Sequence, residues 1–113
     1  VLQQLGKDEI KKIYFHIESQ QQYLPKNESH LVHGDFDPSN ILINKKDDNW
    51  SISAILDWEF SFSGSMLTDV ANMLRYAHKM APAYEQGFLA GLKEARVVLP
   101  AYWRTMIDLL NVI

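Results

Sequence analysis

The sequence predicts an α+β domain that is mainly helical and holds one short β-hairpin. Apolar residues recur every three or four positions in several segments, which is the spacing of amphipathic helices. Two short apolar runs, Ile41–Ile43 and Trp50–Leu56, flank a polar connection and predict paired strands. The chain has 113 residues, 47% of them hydrophobic, so it can bury the core of one domain.

The first half of the chain is expected to hold one helix and three strands. Isoleucines at helical spacing indicate a helix over Asp8–Gln22, with Asp8 as its N-cap. Pro25 prevents this helix from continuing, and Leu31-Val32 begins a short strand. The hairpin strands follow, and the polar segment Asn44–Asn49 is expected to connect them.

The second half of the chain is expected to be helical. Residues 61–65 are small and predict a loop. Thr68 is the expected N-cap of the next helix, and Asp69 in its first turn suits the helix dipole. Further helices are predicted over 82–96 and after Pro100. The last helix is so rich in apolar residues that part of it is expected to face a partner lobe or subunit.

Composition excludes several classes of function. A formal net charge of −3 offers no basic surface for nucleic acid. The chain has no cysteine, which excludes disulfides, thiolate catalysis and cysteine-bound zinc. No apolar run approaches the roughly 20 residues of a membrane span, and the first residues are too polar for a signal peptide. We therefore expect a cytoplasmic protein without a membrane partner.

Short polar side chains gather where the predicted strands end. Asp35 and Asn40 leave one tight loop after the first strand, and Asp57 follows the return strand of the hairpin. Two carboxylates and an amide oxygen are hard ligands of the type that Mg²⁺ prefers. A carboxylate that is not used as a ligand can accept a proton from a hydroxyl nucleophile.

The spacing of this loop matches a known catalytic pattern. His33-Gly34-Asp35, four further residues and then Asn40 follow the catalytic loop of protein kinases, with Gly34 in place of arginine. The sequence of three segments, 31–43 with this loop, 55–61 and 64–71, resembles that of the aminoglycoside phosphotransferase family, a choline kinase-like family. The three segments span about a third of the chain, in the order found in that family.

The resemblance implies a protein-kinase-like fold and transfer of the γ-phosphate of ATP or GTP, with Mg²⁺, to a small-molecule hydroxyl. By position, Asp35 is the catalytic base, and Asn40 and Asp57 bind the metal and, through it, the nucleotide. Two further residues are expected to support the loop structurally: His33 through its ring and Asp69 through backbone hydrogen bonds.

Two carboxylates near the loop have open roles. Glu59 either lies close to the metal, behind its direct ligands, or is simply solvated. Asp37 is expected to be exposed, with a role near acceptor or metal as the less favoured alternative.

The family has two lobes, and this sequence matches only the second. No Gly-x-Gly-x-x-Gly and no strand lysine precede His33, so residues 1–113 are expected to form the C-terminal lobe, with its hairpin carrying the catalytic and metal-binding loops. The nucleotide-binding N-terminal lobe is expected to be absent from this chain. The expected partners are therefore a nucleotide, a hydroxyl acceptor and the missing lobe or a partner subunit.

Two other functions compete with phosphoryl transfer. The chain could be a non-catalytic binding or assembly module, including the lobe of a pseudoenzyme; retention of Asp35, Asn40 and Asp57 argues against decay of the site. A metal-dependent hydrolase built on His33, Asp35 and Asp37 is the third hypothesis, and it lacks further histidines at useful spacing. As a lobe of a kinase, the chain alone is expected to be inactive.

Overall fold

The computed structural model describes residues 6–19 and 28–112. This part of the chain forms an α+β structure with four α-helices, two two-stranded antiparallel sheets and two short 3₁₀ turns. The elements follow in the order α1 (Lys7–Ser19), β1 (His30–Val32), a 3₁₀ turn (Pro38–Asn40), β2 (Ile41–Lys46), β3 (Asn49–Ile55), β4 (Phe62–Gly64), α2 (Leu67–Leu74), a 3₁₀ turn (Ala77–Lys79), α3 (Pro82–Glu94) and α4 (Trp103–Val112).

The hairpin β2–β3 is longer than predicted. Its ladder runs from the pair Ile41–Ile55 to the pair Lys46–Asn49, so most of the expected connection over Asn44–Asn49 is strand. Only two residues turn the chain, and both have positive φ, 53° at Asp47 and 64° at Asp48. This is the backbone of a type I′ turn, whose twist matches that of the strands and which aspartate tolerates.

Strand β4 lies in a segment that the sequence predicts as a loop. Residues 62–64 pair antiparallel with β1, placing Leu31 opposite Ser63 and His30 opposite Gly64. Small residues such as serine and glycine carry little strand propensity, so local pattern does not reveal this pairing. The pair β1–β4 anchors both ends of the segment that holds the polar loop and the hairpin.

The hydrophobic core lies between α2 and α4. Its buried side chains come from these two helices, and side chains of α3 pack against them from one side. The buried members are Leu67, Val70, Ala71, Leu74, Met106 and Ile107. On α3, the side chains that pack against this cluster are Tyr84, Phe88, Leu89 and Leu92.

Two helix starts differ from the prediction. Helix α2 begins one residue before Thr68, after Met66, and the Ser65 hydroxyl accepts the hydrogen bond from the Leu67 amide. Helix α1 begins at Lys7, so Asp8 stands in the first turn instead of capping it. Cap positions differ by single residues because several neighbouring side chains can satisfy the same free amides. Residues 20–22, predicted as the end of α1, lie outside the described residues.

Large exposed apolar side chains lie on the hairpin, whereas α4 has none among its residues. Met106, Ile107 and Leu109 of α4 are buried within the chain. On the hairpin, by contrast, Trp50 is 65% exposed and Ile52 is 63% exposed. Contacts within a two-stranded sheet cannot cover such side chains on their own.

Among the described residues, no helix combines the length and the apolar character needed to cross a membrane.

Candidate active site

The polar loop after β1 is organised around a buried histidine. His33 is 2% exposed, and its Nδ1 accepts a hydrogen bond of 3.1 Å from the backbone amide of Asp35. Because Nδ1 acts as the acceptor, Nε2 carries the proton and donates to the backbone carbonyl of Leu56 at 2.7 Å. Both ring nitrogens are therefore used within the protein, and the ring links the loop to the end of β3.

A carboxylate on α2 holds the same loop from the other side. Asp69 accepts a hydrogen bond from the His33 amide at 2.9 Å through one oxygen and from the Gly34 amide at 3.0 Å through the other. Backbone amides in a tight loop otherwise lack partners, and a charged acceptor makes such bonds stronger than neutral ones. The loop path between His33 and Asp35 is thus set by a helix that lies more than thirty residues further along the chain.

Only glycine fits at the centre of this loop. Gly34 has φ +91°, a conformation that side chains rarely adopt. A Cβ atom built there would lie 2.4 Å from the backbone oxygen of Phe60. Close approach of the two backbones explains why this chain has glycine where protein kinases have arginine.

The structure brings Asp35 and Asn40 together. The Asn40 amide nitrogen donates to the Asp35 carboxylate oxygen Oδ2 at 3.2 Å and to the Asp35 backbone carbonyl at 2.9 Å. These two bonds turn the Asn40 amide oxygen away from Asp35. Among the described residues, none donates a hydrogen bond to that oxygen or to Asp35 Oδ1, so both remain available to a ligand.

Asp57 reaches the same region through the hairpin. The backbone carbonyl of Asn40 accepts a hydrogen bond of 2.8 Å from the Leu56 amide, which places Asp57 one residue from this contact. Asp57 has φ +65°, in the left-handed region, which costs a non-glycine residue about 1–2 kcal/mol. Strain of this kind is concentrated at functional sites, where the surrounding contacts maintain it. The Asp57 side chain is exposed and accepts no hydrogen bond within the described part of the chain.

The two carboxylates with open roles take different positions. Glu59 is exposed in the turn closed by the bond from the Ser61 amide to the Trp58 carbonyl. Asp37 caps the 3₁₀ turn that starts at Pro38, where it accepts hydrogen bonds from the amide and the hydroxyl of Ser39. It is half-buried, against the expectation of an exposed side chain.

A cavity of about 360 Å³ opens beside Asp35. Its lining combines the polar loop with α2, the following 3₁₀ turn and the start of α3: Asp35, Asp37, Pro38, Ser39, Asn72, Met73, Arg75, Tyr76, Met80 and Tyr84. A volume of this size suits a small organic molecule. The residues from α2 and α3 are distant from the loop in sequence, and sequence reasoning did not select them as site residues.

One helical signal could have identified part of this wall. Asp69, Asn72 and Arg75 are spaced three residues apart, so a helix places them on one side. In the structure Asn72 donates to the Gly34 carbonyl at 3.1 Å and accepts from Arg75 at 2.9 Å. Asp69 and Asn72 of α2 thus both bind the loop, and Arg75 binds Asn72 in turn.

Tyr84 forms part of the far wall of the cavity. Its hydroxyl donates to the backbone carbonyl of Met73 at 2.5 Å and lies 3.0 Å from the Met73 sulfur. Burial and, to a smaller extent, the negative charge of Asp37 raise the pKa of Tyr84 above its ordinary value of 10.0. The hydroxyl thus stays neutral at physiological pH and joins α3 to α2.

The geometry counts against the metal-dependent hydrolase. Within residues 6–19 and 28–112, no three or more histidine and acidic side chains are grouped to hold a metal ion. His33 has both nitrogens engaged and Asp37 caps a turn, so two of the three proposed ligands already have partners.

Comparison with known proteins agrees with the motifs. The sequence model of the phosphotransferase enzyme family matches residues 2–106 of this chain. This match confirms the resemblance found in the sequence. Acyl-CoA dehydrogenase family member 11 of Pongo abelii and that of Homo sapiens are each 36% identical to this chain over 63 residues, or 54% of it. The chain spans only 8% of the length of these curated relatives.

Proposed function

Because the chain belongs to the phosphotransferase enzyme family, we propose that it forms the catalytic-loop lobe of a kinase for a small-molecule hydroxyl. The donor is the γ-phosphate of ATP or GTP. One observation carries the proposal: hydrogen bonds through Asn40 connect the Asp35 carboxylate to the end of β3, where Asp57 follows. A base and two oxygen ligands on one loop and its neighbour are what phosphoryl transfer requires.

Asp35 is the proposed catalytic base. Asn40 occupies its Oδ2, while Oδ1 has no hydrogen-bond donor among the described residues and Asp35 borders the cavity. An acceptor hydroxyl in the cavity can donate to this oxygen and so be oriented toward the phosphate. The supports of the loop, His33 and Asp69, then act by positioning Asp35 rather than by touching the substrate.

The donor set fits Mg²⁺. The Asn40 amide oxygen and the Asp57 carboxylate are hard oxygen donors, and neither has a hydrogen-bond donor within the described residues. These two residues would hold the ion, and Glu59, exposed two residues further on, would lie near it. When bound, Mg²⁺ neutralises negative charge on the nucleotide phosphates during transfer.

A second lobe is part of the proposal. Family kinases cover the nucleotide with an N-terminal lobe, and the described residues contain no glycine-rich phosphate loop. The exposed apolar side chains of the hairpin, including Trp50 and Ile52, offer a surface against which such a lobe can pack. We therefore expect this chain alone to transfer no phosphate. The proposed place of action is the cytoplasm.

The test is a phosphoryl-transfer assay on the protein with its nucleotide-binding lobe, using MgATP or MgGTP and a panel of hydroxyl compounds. Asp35→Asn should lower kcat by at least about a hundredfold, because general base catalysis is typically worth that much. Asp108→Asn is the matched control, since Asp108 is exposed on α4 and does not line the cavity beside Asp35. Asp57→Asn should weaken MgATP binding, measured by calorimetry.

Two outcomes would overturn the proposal. Full activity of the Asp35→Asn variant would show that Asp35 is not the catalytic base. A protein that binds neither MgATP nor MgGTP would favour the non-catalytic module.

A further inference from the structure

The cavity beside Asp35 is lined by side chains of opposite charge. Asp35 and Asp37 border it from the loop, and Arg75, the residue that follows α2, borders it as well. These three are the charged residues among its described lining residues. A molecule in this cavity can therefore contact both an acid and a cation.

Arg75 is held in place without being neutralised. Its Nε donates to the Asn111 side-chain oxygen at 3.2 Å, and its Nη2 donates to the Asn72 side-chain oxygen at 2.9 Å. Both partners are uncharged amides. Within the described residues Arg75 has no carboxylate within ion-pair distance, whereas Arg104 pairs with Glu85 at 2.7 Å. The guanidinium thus keeps its full charge and further N–H donors in a fixed orientation, which suits a carboxylate or phosphate.

Apart from these charged residues, the cavity wall is largely apolar. Met73, Met80 and Tyr76 line it together with the ring of Tyr84, whose hydroxyl is already bonded to Met73. Methionine and tyrosine side chains favour an apolar body and adapt to its shape. Such a wall offers little to a molecule that carries several amino groups.

The two acids lie together on the loop side. Asp37 caps its turn through bonds from Ser39, and Asp35 is bonded to Asn40, so both stay charged but each has one oxygen engaged within the loop. A polycationic sugar would need carboxylates on several sides of the cavity, and an amino group beside Arg75 would meet its positive charge.

We infer that the acceptor is a hydroxyl compound with an apolar body and one anionic group, which binds in this cavity with its anion on Arg75. This inference rests on the proposed function and specifies its acceptor. The hydroxyl lies at Asp35, the apolar body lies along Met73 and Met80, and the carboxylate or phosphate accepts hydrogen bonds from the guanidinium.

Three probes of equal length test the charge preference. Binding of 8-hydroxyoctanoate, 1,8-octanediol and 8-amino-1-octanol to the protein is measured by calorimetry without nucleotide. The acid should bind at least about tenfold more tightly than the diol, the effect of a hydrogen bond to a charged group. The acid should also bind more tightly than the amine, whose ammonium group can contact the loop acids but not Arg75. Equal affinities for acid and diol, or tightest binding of the amine, would overturn the inference.

The Arg75→Gln variant tests whether the preference for the acid depends on Arg75. This variant should bind the diol as the wild type does and lose the preference for the acid. Arg104→Gln, which removes a paired arginine on α4, should keep the preference. An unchanged preference in Arg75→Gln would show that the anion binds elsewhere and would also overturn the inference.

A measurement on the wild type guards against a variant that fails to fold. The preference for acid over diol should shrink as salt rises from about 0.05 M to about 1 M, because screening weakens charge pairing. A preference independent of salt contradicts a guanidinium contact. Binding is measured without nucleotide, so a protein that binds the acid but transfers no phosphate contradicts only the proposed function.

Discussion

The ring of His33 donates a hydrogen bond from Nε2 to the backbone carbonyl of Leu56 at 2.7 Å. Leu56 directly precedes Asp57, and the other ring nitrogen accepts from the amide of Asp35. One buried side chain thus connects the backbone at both acids of the proposed active site. The Trp58 ring, with its centroid 4.5 Å from that of His33, covers the imidazole.

Replacing His33 by phenylalanine should separate the hydrogen bonds from the ring packing. A phenyl ring can still contact Trp58, but it leaves the Asp35 amide and the Leu56 carbonyl without partners. Both groups are only partly buried, so each lost hydrogen bond should cost about 0.5–1.5 kcal/mol and the free energy of unfolding in urea should fall by about 1–3 kcal/mol. His78→Phe, at an exposed position, is the control. A loss no larger than that of the control would mean that ring packing alone stabilises the loop.

The Asp69 carboxylate should be sensitive to a change that preserves its shape. Asp69→Asn keeps one acceptor oxygen but turns an NH₂ group toward the amide of His33 or of Gly34. We expect the free energy of unfolding to fall by about 2 kcal/mol, as for loss of a charged hydrogen bond. Amide hydrogen exchange at Gly34 should accelerate beyond what the lower global stability explains. Exchange that tracks global unfolding only would contradict a local role for Asp69.

Two glycine-to-alanine variants should have effects of opposite sign. Gly34→Ala meets both the positive φ and the Phe60 carbonyl, so we expect a loss of more than about 2 kcal/mol in unfolding free energy. Gly87 lies inside α3, and a Cβ there meets no atom within 4 Å. Gly87→Ala should therefore stabilise the protein by about 0.5–1 kcal/mol. Thermal melting of both variants tests this, and a stable Gly34→Ala protein would disprove the predicted clash.

Tyr84 should make stability depend on alkaline pH. Burial, with the charge of Asp37, raises the pKa of Tyr84 in the folded protein, so above about pH 10 the unfolded chain loses this proton first. The unfolded state then binds fewer protons than the folded state, and the free energy of unfolding decreases as pH rises. In Tyr84→Phe this part of the decrease should vanish, as measured by urea unfolding between about pH 9 and about pH 11.

The contribution of Asp37 can be tested separately. Asp37→Asn keeps a side chain that caps the 3₁₀ turn but removes the charge near Tyr84. The pKa of Tyr84, followed by ultraviolet titration against the Tyr84→Phe variant, should then move back toward its ordinary value without reaching it, because burial is the larger cause. An unchanged pKa would exclude Asp37 as a contributor.

The local sequence pattern predicted the helices and the hairpin, but it predicted the residues at which they begin and end less well. The hairpin turn shows why: Asp47 and Asp48 tolerate positive φ, yet they lie in a polar run that offers several equivalent turns. Strand β4 had no local signal because its residues become a strand only through pairing with β1. Several apolar residues of the last helix pack against α2, and only the packing shows which of them these are.

Some residues of the candidate site could be predicted from the sequence and others could not. The spacing of His33, Asp35 and Asn40 can be read directly, because one short loop determines how these side chains stand to each other. The roles of Asn72 and Arg75 could not be read, since they depend on where α2 lies against that loop. A helical spacing shows that such residues share a side of α2, but not what that side faces.

The sequence by itself determined the family, the helical and hairpin elements and the loop from His33 to Asn40, because these depend on residue types at short, regular spacing. Only the tertiary structure decided what surrounds that loop. The contact of Gly34 with Phe60, the engaged nitrogens of His33 and the cavity lined by both Asp35 and Arg75 each join segments distant in the chain. Such contacts arise from the packing of whole elements, so no local pattern contains them.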